Sequence, residues 1–146
     1  MIELPWQIAE TSRTMRRYYN RRASSLGVTT AQWRVLAWLG HEPGLKQVEL
    51  AERLDVEPIT AGRIVDRLQE AGLVERKTDP VDRRVWRLEL TDKAEPIVRK
   101  LRTLAEELTE VAFAGFSADE LQEAQALLAR MRENIGEADE AQRKLA

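Results

Sequence analysis

The chain has no cysteine and a single histidine, His41. The first absence excludes disulfides, thiolate metal sites and cysteine-based redox sensing. The second leaves little raw material for a multi-histidine metal site or a Ser/His triad. A lone histidine near a helix end reads instead as a capping or surface residue. No nucleophile–base pair stands out, so neither an enzyme nor a metal or other cofactor is expected. No apolar run approaches the roughly 20 residues that span a bilayer. Met1-Ile2-Glu3-Leu4-Pro5-Trp6 lacks a basic stretch followed by an apolar one, so no signal peptide is expected and the reading is cytoplasmic, with no membrane partner.

What is present suits one mainly helical domain, since 146 residues can enclose a real core and 33% of them are charged. The formal net charge of −2 is unpromising for a nucleic-acid binder, but it conceals a gradient. Residues 11–30 hold Arg13, Arg16, Arg17, Arg21 and Arg22 with no acid, whereas residues 91–146 hold eight basic against twelve acidic side chains. Local placement of charge, not the total, governs phosphate affinity.

Periodicity and end signals predict six helices and one hairpin. A first helix runs from about Pro5 to Leu26 and closes at Gly27. Thr29 and Gln32 offer a capping box for a second, which carries Trp33, Leu36, Ala37 and Leu39 and stops at Gly40. After the Pro43-Gly44 loop, Leu45, Val48, Leu50, Ala51 and Leu54 recur at helical spacing. Asp55-Val56 makes a short turn, and Pro58 opens the next helix at a position where its missing N–H costs nothing. There Ile59, Ile64, Val65, Leu68 and Ala71 are expected to face inward, and Gly72 ends the helix. Helix, short turn, helix is the helix-turn-helix signature.

Leu73–Lys77 and Val85–Leu90 form the hairpin, with Trp86, Leu88 and Leu90 on one face and Asp79-Pro80 at the turn. Thr91 caps a helix reaching about Gly115, and Ser117 with Glu120 boxes a last helix that stops at Gly136. The residues from Glu137 to Ala146 then form a frayed tail. Three long amphipathic helices outside the compact central module expose more apolar stripe than that module can cover. A second subunit is the favoured partner for it, packing of these helices on one another within one chain the alternative.

Val48-Glu49-Leu50-Ala51, Glu57-Pro58-Ile59-Thr60, Arg63-Ile64-Val65-Asp66-Arg67-Leu68, Gly72-Leu73-Val74-Glu75-Arg76, Asp79-Pro80-Val81-Asp82-Arg83-Arg84 and Leu90-Thr91 occur in order and at fixed spacings. Through them, and over nearly its whole length, the chain resembles the MarR (multiple antibiotic resistance) family of transcriptional regulators. The resemblance implies a winged helix-turn-helix lobe over residues 30–91, dimerisation helices over 1–27 and 92–136, and a tail over 137–146, all within one domain, 1–146. It also implies a homodimer on a pseudo-palindromic double-stranded DNA operator, usually as a repressor, often released by a small phenolic or other aromatic acid. The family's cysteine-based peroxide sensing is excluded here. A winged-helix protein-interaction module that does not bind DNA is the competing reading.

In such a lobe the helix Glu57–Ala71 enters the major groove, with Thr60, Ala61, Arg63 and Arg67 facing outward. Arg63 contacts guanine or phosphate, or else merely pairs with Asp66 or Glu70. Lys46 and Gln47, at the start of the preceding helix, are phosphate candidates. The resemblance places Arg84 in the minor groove with Asp82 holding it, and Arg83 lies nearer phosphate. An effector pocket is sketched by Trp6, Arg16, Arg17, Tyr18, Trp33 and Trp38, aromatic walls with a cation for a carboxylate. Tryptophans at helical spacing are more often core or dimer contacts.

Overall fold

A computed structural model of the chain describes residues 3–146. The described residues form six α-helices and one two-stranded hairpin: α1 Glu3–Ala23, α2 Thr30–His41, α3 Gln47–Leu54, α4 Pro58–Glu70, β1 Val74–Thr78, β2 Trp86–Leu90, α5 Glu95–Ala112 and α6 Ala118–Leu145. No described helix is long and apolar enough to cross a membrane. The chain divides into two compact units, with the boundary between Leu108 and Thr109.

In the first unit, the stripes of α2, α3 and α4 converge on the hairpin. Val35, Leu36 and Leu39 of α2 meet Leu50 and Leu54 of α3, Val65 and Leu68 of α4, and Val74 and Leu88 of the two strands, all within one buried cluster. α5 joins it through Val98 and Leu101. α1 contributes only Tyr19 and Ala23 to the core. Its tie to α5 is polar, the Tyr19 hydroxyl donating to the Leu101 carbonyl at 2.8 Å. Burial pushes that phenol up to about 12, which keeps it a neutral donor.

The helix ends follow sequence chemistry closely. Thr29 accepts from the Gln32 N–H while the Gln32 side chain accepts from the Thr29 N–H, and Ser117 and Glu120 make the same reciprocal pair. Gly27 and Gly72 adopt φ of 74° and 76° just past α1's terminal 3₁₀ turn and α4, where a side chain would be strained.

Several expectations were corrected. Gly40 does not stop α2, which continues to His41. A Cβ at Gly40 would lie 3.1 Å from Val98 Cγ1, so this glycine permits close approach of α5. Thr91 caps no helix with its side chain; its hydroxyl donates to the Gly72 carbonyl instead. Val48 is exposed, roughly 200° round α3 from Leu50 and off the buried stripe of Leu50, Ala51 and Leu54. Trp86 stays exposed at the far end of β2, beyond the core that holds Leu88.

On α4, Ile59 was expected inside and Ala61 outside, and the structure reverses them: Ile59 is 71% exposed and Ala61 fully buried. The buried stripe is Ala61, Val65 and Leu68. At about 100° per residue, Ile59 lies roughly 200° round the helix from Ala61 and cannot join it.

The hairpin pairs Val74 with Leu90, Arg76 with Leu88 and Thr78 with Trp86 in antiparallel register. It is also fastened to the segment before α3, where the Leu88 N–H donates to the Leu45 carbonyl at 2.9 Å. A second fastening sits at the tip. Asp79 Oδ1 accepts from the Val81 and Asp82 N–H groups at 2.8 and 3.0 Å. Its Oδ2 accepts from Arg87 Nε, and Arg87 Nη1 reaches the Gly44 carbonyl at 3.0 Å.

In the second unit, Gly115 turns the chain with φ 84° before α6. Gly136 was expected to stop α6 and lies inside it, the helix running to Leu145. One helical glycine costs only about 1 kcal/mol, and the flanking Glu137-Ala138 and Glu140-Ala141-Gln142-Arg143-Lys144-Leu145 are strong helix formers. The segment expected to fray is therefore helical. α6 buries none of its residues, and Leu127, Leu128 and Ile135 are exposed.

Leu36→Ala should cost about 2–5 kcal/mol of stability through a cavity under α2, read as a lower denaturation midpoint at unchanged m-value. The two N–H donors and Arg87 hold the Asp79 carboxyl at about 2, below the ordinary 3.8. Its contribution is therefore complete above that ordinary value and lost as pH falls through about 2. Asp79→Asn should loosen the hairpin tip at neutral pH and remove the lower of the tip's acid titration steps, leaving that of Asp82, both visible in the amide NMR signals of Val81 and Asp82.

Candidate nucleic-acid interface

The turn between α3 and α4 positions the outward face. Asp55 takes a left-handed conformation, φ 54°, and the Val56 N–H returns to the Ala51 carbonyl at 3.1 Å. Pro58 then starts α4 at its first turn. With Ala61, Val65 and Leu68 buried, the opposite side of α4 presents Ile59, Thr60, Arg63 and Arg67 to solvent. The side chains of Thr60, Arg63 and Arg67 make no hydrogen bond or ion pair with any described residue. The pairing of Arg63 with Asp66 or Glu70 is thus not made; Asp66 pairs with Arg76 at 2.6 Å. Ala61, fully buried, has no outward surface and drops out of the candidate set.

At the wing tip Arg84 is braced on Asp82. Its Nε and Nη2 lie 3.1 and 3.3 Å from the two carboxylate oxygens, and its backbone N–H donates to Oδ1 at 3.1 Å. The Arg84 side chain nonetheless remains 91% exposed. The brace, first through the side chain and then through the backbone, holds the Asp82 carboxyl below its usual range. Arg83 is exposed beside it. This is a projecting cation with restricted rotamers, the form that suits a narrow, electronegative groove.

The two remaining candidates differ. Lys46 is half-buried at the start of α3, where its N–H donates to Glu49 Oε1 at 2.9 Å. Gln47 is occupied inside the protein, its Oε1 accepting from Arg76 Nε at 3.1 Å. Asp79, Arg87 and Arg76 were not singled out as site residues. Asp79-Pro80 signalled a turn, but nothing in the sequence pairs an aspartate with an arginine eight positions on or joins Arg76 to α3.

A separate cleft of ≈ 420 Å³ is lined by Arg16, Trp33, Arg34, Ala37, Trp38, His41 and Arg53. It gathers Arg16, Trp33 and Trp38 of the expected effector set and adds Arg34, His41 and Arg53, while Trp6, Arg17 and Tyr18 do not line it. Trp6 is exposed, and Tyr18 carries the Arg22 guanidinium 3.4 Å above its ring. Arg53 is neutralised by Glu42 at 3.2 Å. Arg34 is held below its ordinary value by burial and then by the charge of Arg16, with Asp55 opposing. The cleft therefore has an excess of positive charge against aromatic walls.

Comparison with known proteins agrees with this geometry. Residues 26–85 match the model of the MarR family. The crystal structure of the transcriptional regulator PA3341 is 32% identical, with 92% of this chain and 98% of that one covered at a TM-score of 0.86. A crystal structure of MarR is 31% identical over 92% of each chain, TM-score 0.73. A mutant E. coli MarR complexed with operator DNA is 29% identical, covering 89% of this chain and 94% of that one, TM-score 0.72. With its helix-turn-helix, its wing and these matches, the chain belongs to the MarR family and is a transcriptional regulator rather than an enzyme.

Proposed function

We propose that two copies of this chain form a cytoplasmic homodimer that binds a pseudo-palindromic operator and represses transcription until a small aromatic acid binds. The observation that carries the DNA-binding part is the Arg84–Asp82 brace at the wing tip, set beside the unpaired side chains of Thr60, Arg63 and Arg67 on α4. α4 would lie in the major groove and Arg84 in the flanking minor groove, with Arg83 and Lys46 on phosphate. That an E. coli relative is complexed with operator DNA supports operator binding.

The homodimer rests on unburied apolar surface. Leu4 and Ile8 on α1, four residues apart, and Leu128 and Ile135 on α6, seven apart, are large, exposed and share a face of their helices, with Leu127 beside the second pair. A two-fold dimer is the commonest way to cover such stripes, and it would place two recognition helices roughly 34 Å apart, one turn of DNA. In domain terms, residues 30–91 are the DNA-binding lobe of one MarR-like domain and the flanking helices its dimerisation elements.

The effector reading rests on the Arg16/Arg34 cleft. Two guanidiniums in a cleft also lined by Trp33 and Trp38 offer a carboxylate a charge partner and an aromatic ring a surface to stack on. Arg84→Ala should weaken operator binding by roughly 1–3 kcal/mol, about fivefold to 150-fold, with thermal stability unchanged because the side chain is solvated. The check is a binding titration at fixed salt beside a melting curve; unaltered affinity would remove Arg84 from the interface. For the cleft, hydroxybenzoates should quench tryptophan fluorescence saturably in the wild type and far more weakly in Arg34→Ala. Absence of quenching by any aromatic acid would reject the effector reading.

A further inference from the structure

One side chain in the DNA-binding lobe is tied to more of its elements than any role so far assigned to it explains. Arg76 lies on the inner face of β1, opposite Leu88, with its side chain only 18% exposed. Its Nε donates to Gln47 Oε1 on α3 at 3.1 Å. Its Nη2 donates to the Gly62 carbonyl of α4 at 3.1 Å. Its Nη1 reaches Gln69 Oε1 at 2.9 Å and Asp66 Oδ1 at 2.6 Å, both also on α4. One guanidinium thus joins the wing strand, the helix before the turn and three successive turns of α4.

We propose that Arg76 is a positioning residue for α4: by bridging β1, Gln47 and the Gly62–Asp66–Gln69 edge, it sets the pitch of that helix and thereby the protein's discrimination between DNA sequences. The proposal rests on the DNA-binding reading above. A guanidinium holds its donors in a rigid plane, so engaging acceptors on two helices fixes the helices' relative rotation as well as their spacing. A largely buried cation also penalises any arrangement that leaves it short of acceptors, which makes the constraint stiff. Base readout needs that stiffness, since contacting side chains must be held to within about 0.5 Å. Phosphate attraction does not, because it falls off slowly with distance.

Gly62 is an independent sign of the same constraint. It sits mid-helix on α4, and a Cβ there would come within 3.1 Å of Gln47 Nε2. Any side chain at 62 therefore presses on the amide that Arg76 holds. The same contact accounts for Gln47, expected on phosphate and found bonded inward: its part is to relay the position of α3 to Arg76.

The test uses the full chain, a duplex enriched by the wild type from a random-sequence pool, and poly(dI-dC) as nonspecific DNA, in a salt series with parallel melting curves. Arg76→Lys, which keeps the charge and loses the planar fork, should weaken binding to the enriched duplex roughly tenfold or more. Affinity for poly(dI-dC) and the salt slope should be unchanged. Gly62→Ala should reproduce the loss of preference while still melting cooperatively, since the gain in helix propensity offsets the press on the Gln47 amide. Gly62→Ala decides the matter alone if Arg76→Lys does not fold.

Retained preference in Gly62→Ala would overturn the proposal. So would an equal loss on both DNAs with a slope shallower by about one, the mark of a direct phosphate contact. A wild type that enriches no duplex would sink the DNA-binding reading itself, and this inference with it.

Discussion

Which side of α4 meets solvent is decided by which side is buried, and that burial is the constraint on which the rest of the lobe depends. Ala61, Val65 and Leu68 lie one above another along the helix, and Val65 and Leu68 enter the cluster that Leu36, Leu50 and Leu88 share. The hydrophobic effect there is non-directional, but the helical period converts it into an orientation. Once those three positions point inward, Thr60, Arg63 and Arg67 must point outward. Leu88 carries the same constraint into the wing, because the strand residue that fills the core also sets the angle at which the hairpin leaves the body.

Polar contacts then refine what burial has oriented. Asp79 and Arg87 fix the hairpin to the Gly44 loop, Asp82 steadies Arg84, and Arg76 joins β1 to both helices. Of these aspartates, Asp79 is buried and fully engaged, whereas Asp82 and the arginine it braces face water. An exposed ion pair of the second kind adds little to stability. What it does is hold a cation extended from the tip.

A protein of net charge −2 is thus able to present a locally cationic surface. Acidic residues gather in the last third of the chain, while the cations of α4 and the wing tip lie on the exposed side of the lobe. The overall balance is poorly informative because phosphate attraction decays within about 10 Å in ordinary salt. The same locality applies in the cleft beside Trp33 and Trp38, where Arg16 and Arg34 share an aromatic-walled hollow with too little negative charge nearby.

Order and kind of elements were legible from the sequence: the capping boxes at Thr29 and Ser117, the terminators Gly27 and Gly72, Pro58 at the start of α4, and the alternation that makes β2. These are local signals, each carried by a few neighbouring residues. The errors came where a local signal was outweighed. Gly40 and Gly136 resemble stops, yet the helices continue, one glycine admitting Val98 and the other flanked by strong helix formers. Ile59 is the larger apolar residue, yet the small Ala61 is inside, because the phase of the stripe is set by partners far along the chain. Arg76, Gln47 and Gly62 were present in the sequence as unremarkable letters; only the packing of α3, α4 and β1 brings one guanidinium within reach of all three elements, since hydrogen bonds depend on distances that separation along a chain does not encode.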